Sequence, residues 1–215
     1  MKGEKFNYDV IVIGSGSAGF SAAESASNTG ARVLIIEDNV MGGECPNFAC
    51  IPTKALIRSA QLYYQARFQL SDFGIHTSQV TFSFKYLMAR KNAVVATVTG
   101  KGQRLKKFAK DLGIDVLFGR ASFVDRHTIK INKEQFRAKA FVIATGSINH
   151  VPPIEGLANS GYLSYKDVTS GYRLPKSVAI LGGGPVGCEL ATFYGLLGIK
   201  VTIIEVADSI LSHED

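Results

Sequence analysis

The chain has 215 residues, 46% of them hydrophobic, with 22 glycines, three cysteines, no tryptophan and a net charge of +6 at neutral pH. That length and apolar content exclude a disordered chain, and three cysteines are too few, and odd in number, for a secreted disulfide framework. The first apolar run, Val10-Ile11-Val12-Ile13, is cut short by Gly14, so it reads as neither signal peptide nor membrane span. A cytoplasmic protein with no membrane partner is expected. Much of the excess positive charge falls in residues 101–110, where apolar residues recur at helical spacing. This pattern fits a solvated helix face better than a nucleic-acid surface, so no nucleic-acid partner is expected.

Taken in order, residues 8–13 read as a strand buried on both faces, and they run into Gly14-Ser15-Gly16-Ser17-Ala18-Gly19. A helical stretch follows to about Thr29, Gly30 suits its C-terminus, and residues 32–36 read as a second strand ending at Glu37. This is a dinucleotide-binding βαβ fingerprint in full context. Gly14 permits the tight turn, Gly16 lets backbone approach a pyrophosphate, and Gly19 lets helix and strand pack closely. The helix N-terminus faces the phosphates, and Glu37 is placed to accept hydrogen bonds from a ribose diol.

The next stretch is Gly42-Gly43-Glu44-Cys45-Pro46-Asn47-Phe48-Ala49-Cys50-Ile51-Pro52-Thr53-Lys54. It places two cysteines at the start of a predicted helix, where free N–H groups and the macrodipole favour a thiolate. Two thiols so placed can open and close a disulfide. A buried structural pair, or two small apolar fillers, are the other readings of the same residues.

Beyond them the spacing predicts helices over 52–67 and 84–112. Short alternating segments at 115–118, 121–124, 128–131 and 135–137 read as an antiparallel meander. Residues 140–144 return to a buried strand that stops at Thr145-Gly146-Ser147, a turn of the kind that touches ligands in open α/β sheets. Val151-Pro152-Pro153 reads as a connector, which predicts domains at 1–150 and 151–215.

The fingerprint then recurs. Laid over residues 10–37 without a gap, residues 178–205 match at ten of 28 positions, including Gly182, Gly184, Gly187 and the terminal acid Glu205. Two such units in register predict two dinucleotide sites. Both end in glutamate rather than a basic residue, which favours NAD(H) over NADP(H) at the second.

These motifs, with Gly119-Arg120-Ala121 and Ala144-Thr145-Gly146, stand in the order found in the FAD-dependent pyridine nucleotide-disulfide oxidoreductases. The chain resembles that family, whose members include dihydrolipoamide dehydrogenase, glutathione reductase and mercuric reductase, over essentially its whole length. The resemblance implies an α/β, Rossmann-like FAD/NAD(P)-binding fold with a parallel sheet and a small meander, followed by the first βαβ of a second similar domain.

It further implies that the first unit holds FAD through Gly14, Ser15, Gly16, Ser17, Ala18, Gly19, Glu37 and Asp38. Gly43, Glu44, Lys54, Arg120, Ala121, Ala144, Thr145 and Gly146 complete that site. Gly182, Gly184, Pro185, Val186, Gly187 and Glu205 would hold the nicotinamide dinucleotide. Electrons would pass from NAD(P)H through FAD to a Cys45–Cys50 disulfide and on to a disulfide substrate. Cys50 is then the flavin-side thiol, Cys45 the interchange thiol, and Lys54 and Glu189 a buried ion pair beside the flavin. No metal site is implied, and Cys188 reads as a packing residue.

Two residues depart from the family pattern, Pro46 after the first cysteine and Ala49 before the second. If position 49 requires a left-handed conformation, alanine there costs about 1–2 kcal/mol. Family members continue into a dimerisation domain that carries a His–Glu pair, and none of His76, His127, His150 and His213 stands in the matching context. The chain therefore reads as an incomplete portion of a homodimeric enzyme. A mercuric reductase-like metal-ion reductase, or a FAD-binding module with vestigial cysteines, are the alternatives.

Overall fold

The structure is a computed structural model describing residues 6–171 and 173–212. His213 lies outside the described residues. The elements in order are β1 (Tyr8–Ile13), α1 (Ser17–Asn28), β2 (Val33–Glu37), α2 (Glu44–Asn47), α3 (Cys50–Phe68), α4 (Phe84–Thr99) and α5 (Gln103–Asp111). There follow β3 (Asp115–Phe118), β4 (Ala121–Asp125), β5 (Thr128–Ile131), β6 (Glu134–Ile143), α6 (Tyr165–Ser170), β7 (Ser177–Leu181), α7 (Pro185–Leu196) and β8 (Lys200–Ile204). They form an α/β protein of two compact units, Met1–Asn47 with Ala96–His150, and Phe48–Val95 with Val151–Asp215.

The first unit is built on a six-stranded sheet ordered β3-β2-β1-β6-β5-β4. Strands β1 and β2 pair in parallel, and their side chains alternate between two cores as the strand repeat of two requires. Val12, Val33 and Ile35 pack with Phe20 and Ala23 of α1 and with Ala109 of α5. Ile11, Leu34 and Ile36 pack with Ile129 and Ile131 of the meander. Both faces are thus covered, which is why these strands read as continuous apolar runs rather than alternating ones. The basic face of α5 stays outward, with Arg104, Lys106, Lys107 and Lys110 exposed while Leu105 and Ala109 turn inward.

Three expectations are corrected here. Segment 115–118 is no part of the meander: β3 pairs in parallel with β2, so it extends the central sheet at its edge. The predicted strand at 135–137 and the run at 140–144 are one ten-residue strand, β6. It is antiparallel to β5 over Glu134–Arg137 and parallel to β1 from Ala138 onward. The predicted helix over 84–112 breaks into α4 and α5 at Gly100-Lys101-Gly102. All three of these residues take positive φ, at 59°, 55° and 80°. Three left-handed residues in succession cannot continue a right-handed helix.

In the second unit β7 and β8 form a parallel pair joined by α7. Leu56 and Ala60 of α3 are buried with Phe193, Tyr194 and Leu197 at the end of α7. This apolar contact holds residues 48–95 with the C-terminal part of the chain.

Candidate functional site

The parallel strands of the first unit all end at one edge of the sheet, where backbone hydrogen bonds tie the turns together. Gly14 N–H donates to the Ile36 carbonyl at 2.7 Å, Ala144 N–H to Ile13 at 2.8 Å, and Gly119 N–H to Glu37 at 2.8 Å. These bonds gather Gly14–Gly19, Glu37, Gly119-Arg120-Ala121 and Ala144-Thr145-Gly146 on one rim. Gly14 has φ of +102°, and a Cβ there would fall on the Ala144 carbonyl, so no other residue fits. A Cβ on Gly19 would strike the Gly14 carbonyl, which shows the close helix–strand packing the motif requires. Ser17, Ala18, Asp38, Arg120, Thr145 and Gly146 are exposed along this rim, while Gly16 and Ala121 are half-buried.

Glu37 is buried, and its carboxylate already has partners. Oε2 accepts from the Ser15 N–H at 3.0 Å and from Ser15 Oγ at 2.5 Å, and Oε1 accepts from the Asn39 N–H at 2.9 Å. The second fingerprint repeats the arrangement at matching positions. Glu205 Oε2 accepts from Gly183 N–H at 2.6 Å, Oε1 accepts from Ala207 N–H at 2.9 Å, and Gly182 N–H donates to Ile204 at 2.9 Å. In both repeats the terminal acid clasps the turn it is paired with in sequence.

A phosphate-bearing cofactor fits both turns. Helix α1 starts at Ser17 after Gly16, and α7 starts at Pro185 after Gly184, each without a side-chain cap. Their first-turn N–H groups therefore face outward with the positive end of a twelve-residue helix behind them. Val186 is half-exposed at the second of these openings. A Cβ on Gly43, which has φ of +67°, would lie 2.8 Å from the Gly16 Cα, so only glycine lets the two backbones meet.

That contact leads directly to the cysteines. Both are half-buried, Cys45 in the short helix α2 after Glu44 and Cys50 as the first residue of α3, so one predicted helix start is two. Cys45 belongs to the first unit and Cys50 to the second. Asn47 closes the loop around Cys45 by donating Nδ2–H to the Met41 carbonyl at 3.1 Å and the Gly43 carbonyl at 2.9 Å. Pro46 is accommodated because position 42 lacks a side chain, a Cβ there lying 3.0 Å from Pro46 Cγ. Ala49 has φ of −113°, so it carries no left-handed penalty.

On the Cys50 side, the hydroxyl of buried Thr169 donates to the Phe48 carbonyl at 3.0 Å, and the Lys166 ammonium sits 5.3 Å from the Phe48 ring centroid. Helix α6, fixed by a Ser164–Asp167 capping box, thus grips the residue between the cysteines. Nothing in sequence marks this contact, which joins residues 121 positions apart. Lys54 and Glu189 do form an ion pair, but their side chains are 58% and 31% exposed, which corrects the expectation of a buried pair. Cys188 directs its Sγ to the Gly183 carbonyl at 3.2 Å inside the second turn.

The fold and site define a protein with two dinucleotide-type βαβ units and a cysteine pair following the first. The profile of the pyridine nucleotide-disulphide oxidoreductases matches residues 8–215, and the chain belongs to that family. It is 37% identical over 214 residues to a dihydrolipoyl dehydrogenase of Acholeplasma laidlawii, covering 97% of this chain and 62% of that protein. It is 32% identical over 210 residues to a mercuric reductase of Bacillus cereus, covering 98% of this chain and 33% of that protein. The solved structure of the HOCl-induced flavoprotein disulfide reductase RclA from Escherichia coli superposes with a TM-score of 0.78 at 32% identity. It covers 97% of this chain and 44% of that one. The chain thus spans from a third to just under two thirds of the length of these relatives.

Proposed function

We propose that this chain carries the flavin-binding and disulfide-bearing part of an oxidoreductase. In net terms NAD(P)H, a proton and a substrate disulfide become NAD(P)+ and two thiols. The observation that carries this reading is the backbone contact of Gly43 with Gly16, which sets the cysteine-bearing loop against the phosphate-binding turn of the first fingerprint. FAD held at that turn supplies the two-electron relay between nicotinamide and disulfide. Gly14–Gly19, with Glu37, Asp38, Arg120, Ala121 and Ala144–Gly146 around them, hold and orient it, and the Gly182–Gly187 turn with Glu205 receives the nicotinamide dinucleotide, NAD(H) in preference to NADP(H). Cys50 faces the flavin, Cys45 exchanges with the substrate, and the Lys54–Glu189 pair serves beside the flavin and the nicotinamide. The two domains divide near residue 150, and the complete protein works as a cytoplasmic homodimer.

The mercuric reductase relatives support a second substrate class, a thiol-bound metal ion, for the same electron path. Anaerobic titration of the flavin-loaded full-length protein with NADH tests the reading common to both. Two-electron reduction of the disulfide is expected to give a long-wavelength charge-transfer band that Cys50→Ser abolishes. Uptake of only two electrons per flavin with no such band refutes it.

A further inference from the structure

The two fingerprints share two clasping N–H bonds, and at the second fingerprint residue only the first repeat has a side chain that adds another. In each, the terminal acid accepts the N–H of the second fingerprint residue and the N–H two residues beyond itself. Gly183 offers only its backbone, whereas Ser15 at the equivalent place adds a hydroxyl with no accessible surface. A serine hydroxyl has one proton to donate and lone pairs to accept with. Here it donates to Glu37 Oε2 at 2.5 Å and accepts the Gly42 N–H at 3.1 Å. The extra hydroxyl therefore occurs in the repeat whose acid is followed by cysteines, and it points to the loop that carries them.

We propose that Ser15 is a positioning residue that couples Glu37 to the cysteine loop. Gly42 is the anchored end of a closed structure. Asn47 bonds back to Met41 and Gly43, and Gly43 lies against Gly16, so fixing Gly42 fixes the base from which Cys45 projects. Any ligand that draws on Glu37 redistributes the bonds at Ser15 and is felt at Gly42. The role in thiol chemistry rests on the redox reading of Cys45, while the tie itself does not.

The test is Ser15→Ala, which keeps the Glu37 bond to the residue-15 N–H and removes only the relay. Amide hydrogen exchange of the purified chain is the first readout, with the Asn39 amide, which also bonds Glu37, as internal control. Exchange at Gly42 is expected to rise about ten-fold, the loss of one buried hydrogen bond, with Asn39 within about two-fold. The second readout is the alkylation rate of Cys45 with Cys50 and Cys188 replaced by serine, expected to change at least about three-fold in Ser15→Ala. Unchanged exchange at Gly42, an equal rise at Asn39, or an unaltered alkylation rate each overturns the proposal. Absence of the charge-transfer band in the full-length protein counts against the proposed function instead, and leaves the exchange result standing.

Discussion

Replacing Thr169 by valine is the sharpest probe of how the cysteine segment is held. Thr169 is 3% exposed, and its Oγ1 lies 3.0 Å from the Phe48 carbonyl and 3.3 Å from that of Lys166. Valine keeps the shape and removes the donor, leaving the Phe48 carbonyl with its hydrogen bond broken. An acceptor left unsatisfied at a part-buried site costs toward the lower end of about 1–3 kcal/mol. Thr169→Ser keeps the hydroxyl and loses one methyl, about 0.8 kcal/mol. With a urea slope of about 1–3 kcal/mol per molar, the valine variant is expected to unfold about 1 M earlier than the parent. The serine variant is expected to fall between them. Far-UV circular dichroism is the assay, because the chain has no tryptophan to follow by fluorescence. In a background with Cys45 and Cys188 replaced by serine, Thr169→Val is expected to speed the alkylation of Cys50. If the valine variant is at least as stable as the serine variant, the bond to Phe48 contributes nothing and the reasoning fails.

Two further outcomes follow from charges. Asp9 accepts from Lys139 Nζ at 2.7 Å, the Arg32 N–H at 2.8 Å and Arg32 Nε at 3.3 Å, and the Lys139 bond, then the Arg32 backbone, holds its carboxyl well below the usual carboxylate range. A folded pKa below the unfolded one gives stability that is present above about pH 4 and lost as pH falls through the folded value. Asp9→Asn is therefore expected to be less stable than the parent at pH 7, with the gap closing between about pH 5 and 2 in urea titrations; a constant gap is the contrary result. The Lys54–Glu189 pair is open to solvent, so Lys54→Met is expected to cost at most about 1 kcal/mol of stability in a thermal melt. The same change is expected to slow flavin reduction by NADH at least about ten-fold in stopped-flow of the full-length protein. An unchanged rate makes the pair a surface contact only.

The β1-α1-β2 unit and its repeat are legible because local sequence determines them, an apolar run meeting glycines that only one backbone path accommodates. Strand β3 is legible as a strand but not in its direction. A short segment such as Asp115–Phe118 reads alike as a meander strand or a sheet edge, and its place depends on meeting β2. The break at Gly100-Lys101-Gly102 has a visible signal in its two glycines, but apolar spacing continues across it and conceals the stop. Ser15 is legible as a fingerprint residue, but its hydroxyl bond to Gly42 is not, and neither is the Thr169 bond to Phe48. Each joins a short polar side chain to a backbone group far away in sequence, and composition carries no trace of such a partner.

Strand β6 obeys two neighbours, because its first four residues pair antiparallel with β5 and its last residues pair parallel with β1. It works as a ruler. One residue inserted after Arg137 leaves the hairpin to β5 intact but carries everything beyond it about 3.3 Å further along and turns each side chain to the opposite face. Val142 would leave the core shared with α1, and Thr145-Gly146 would overshoot the Gly14 turn. The length of β6 between hairpin and turn is therefore a measured distance, so change in this part of the chain is confined to substitution, and insertions belong in the loops on either side.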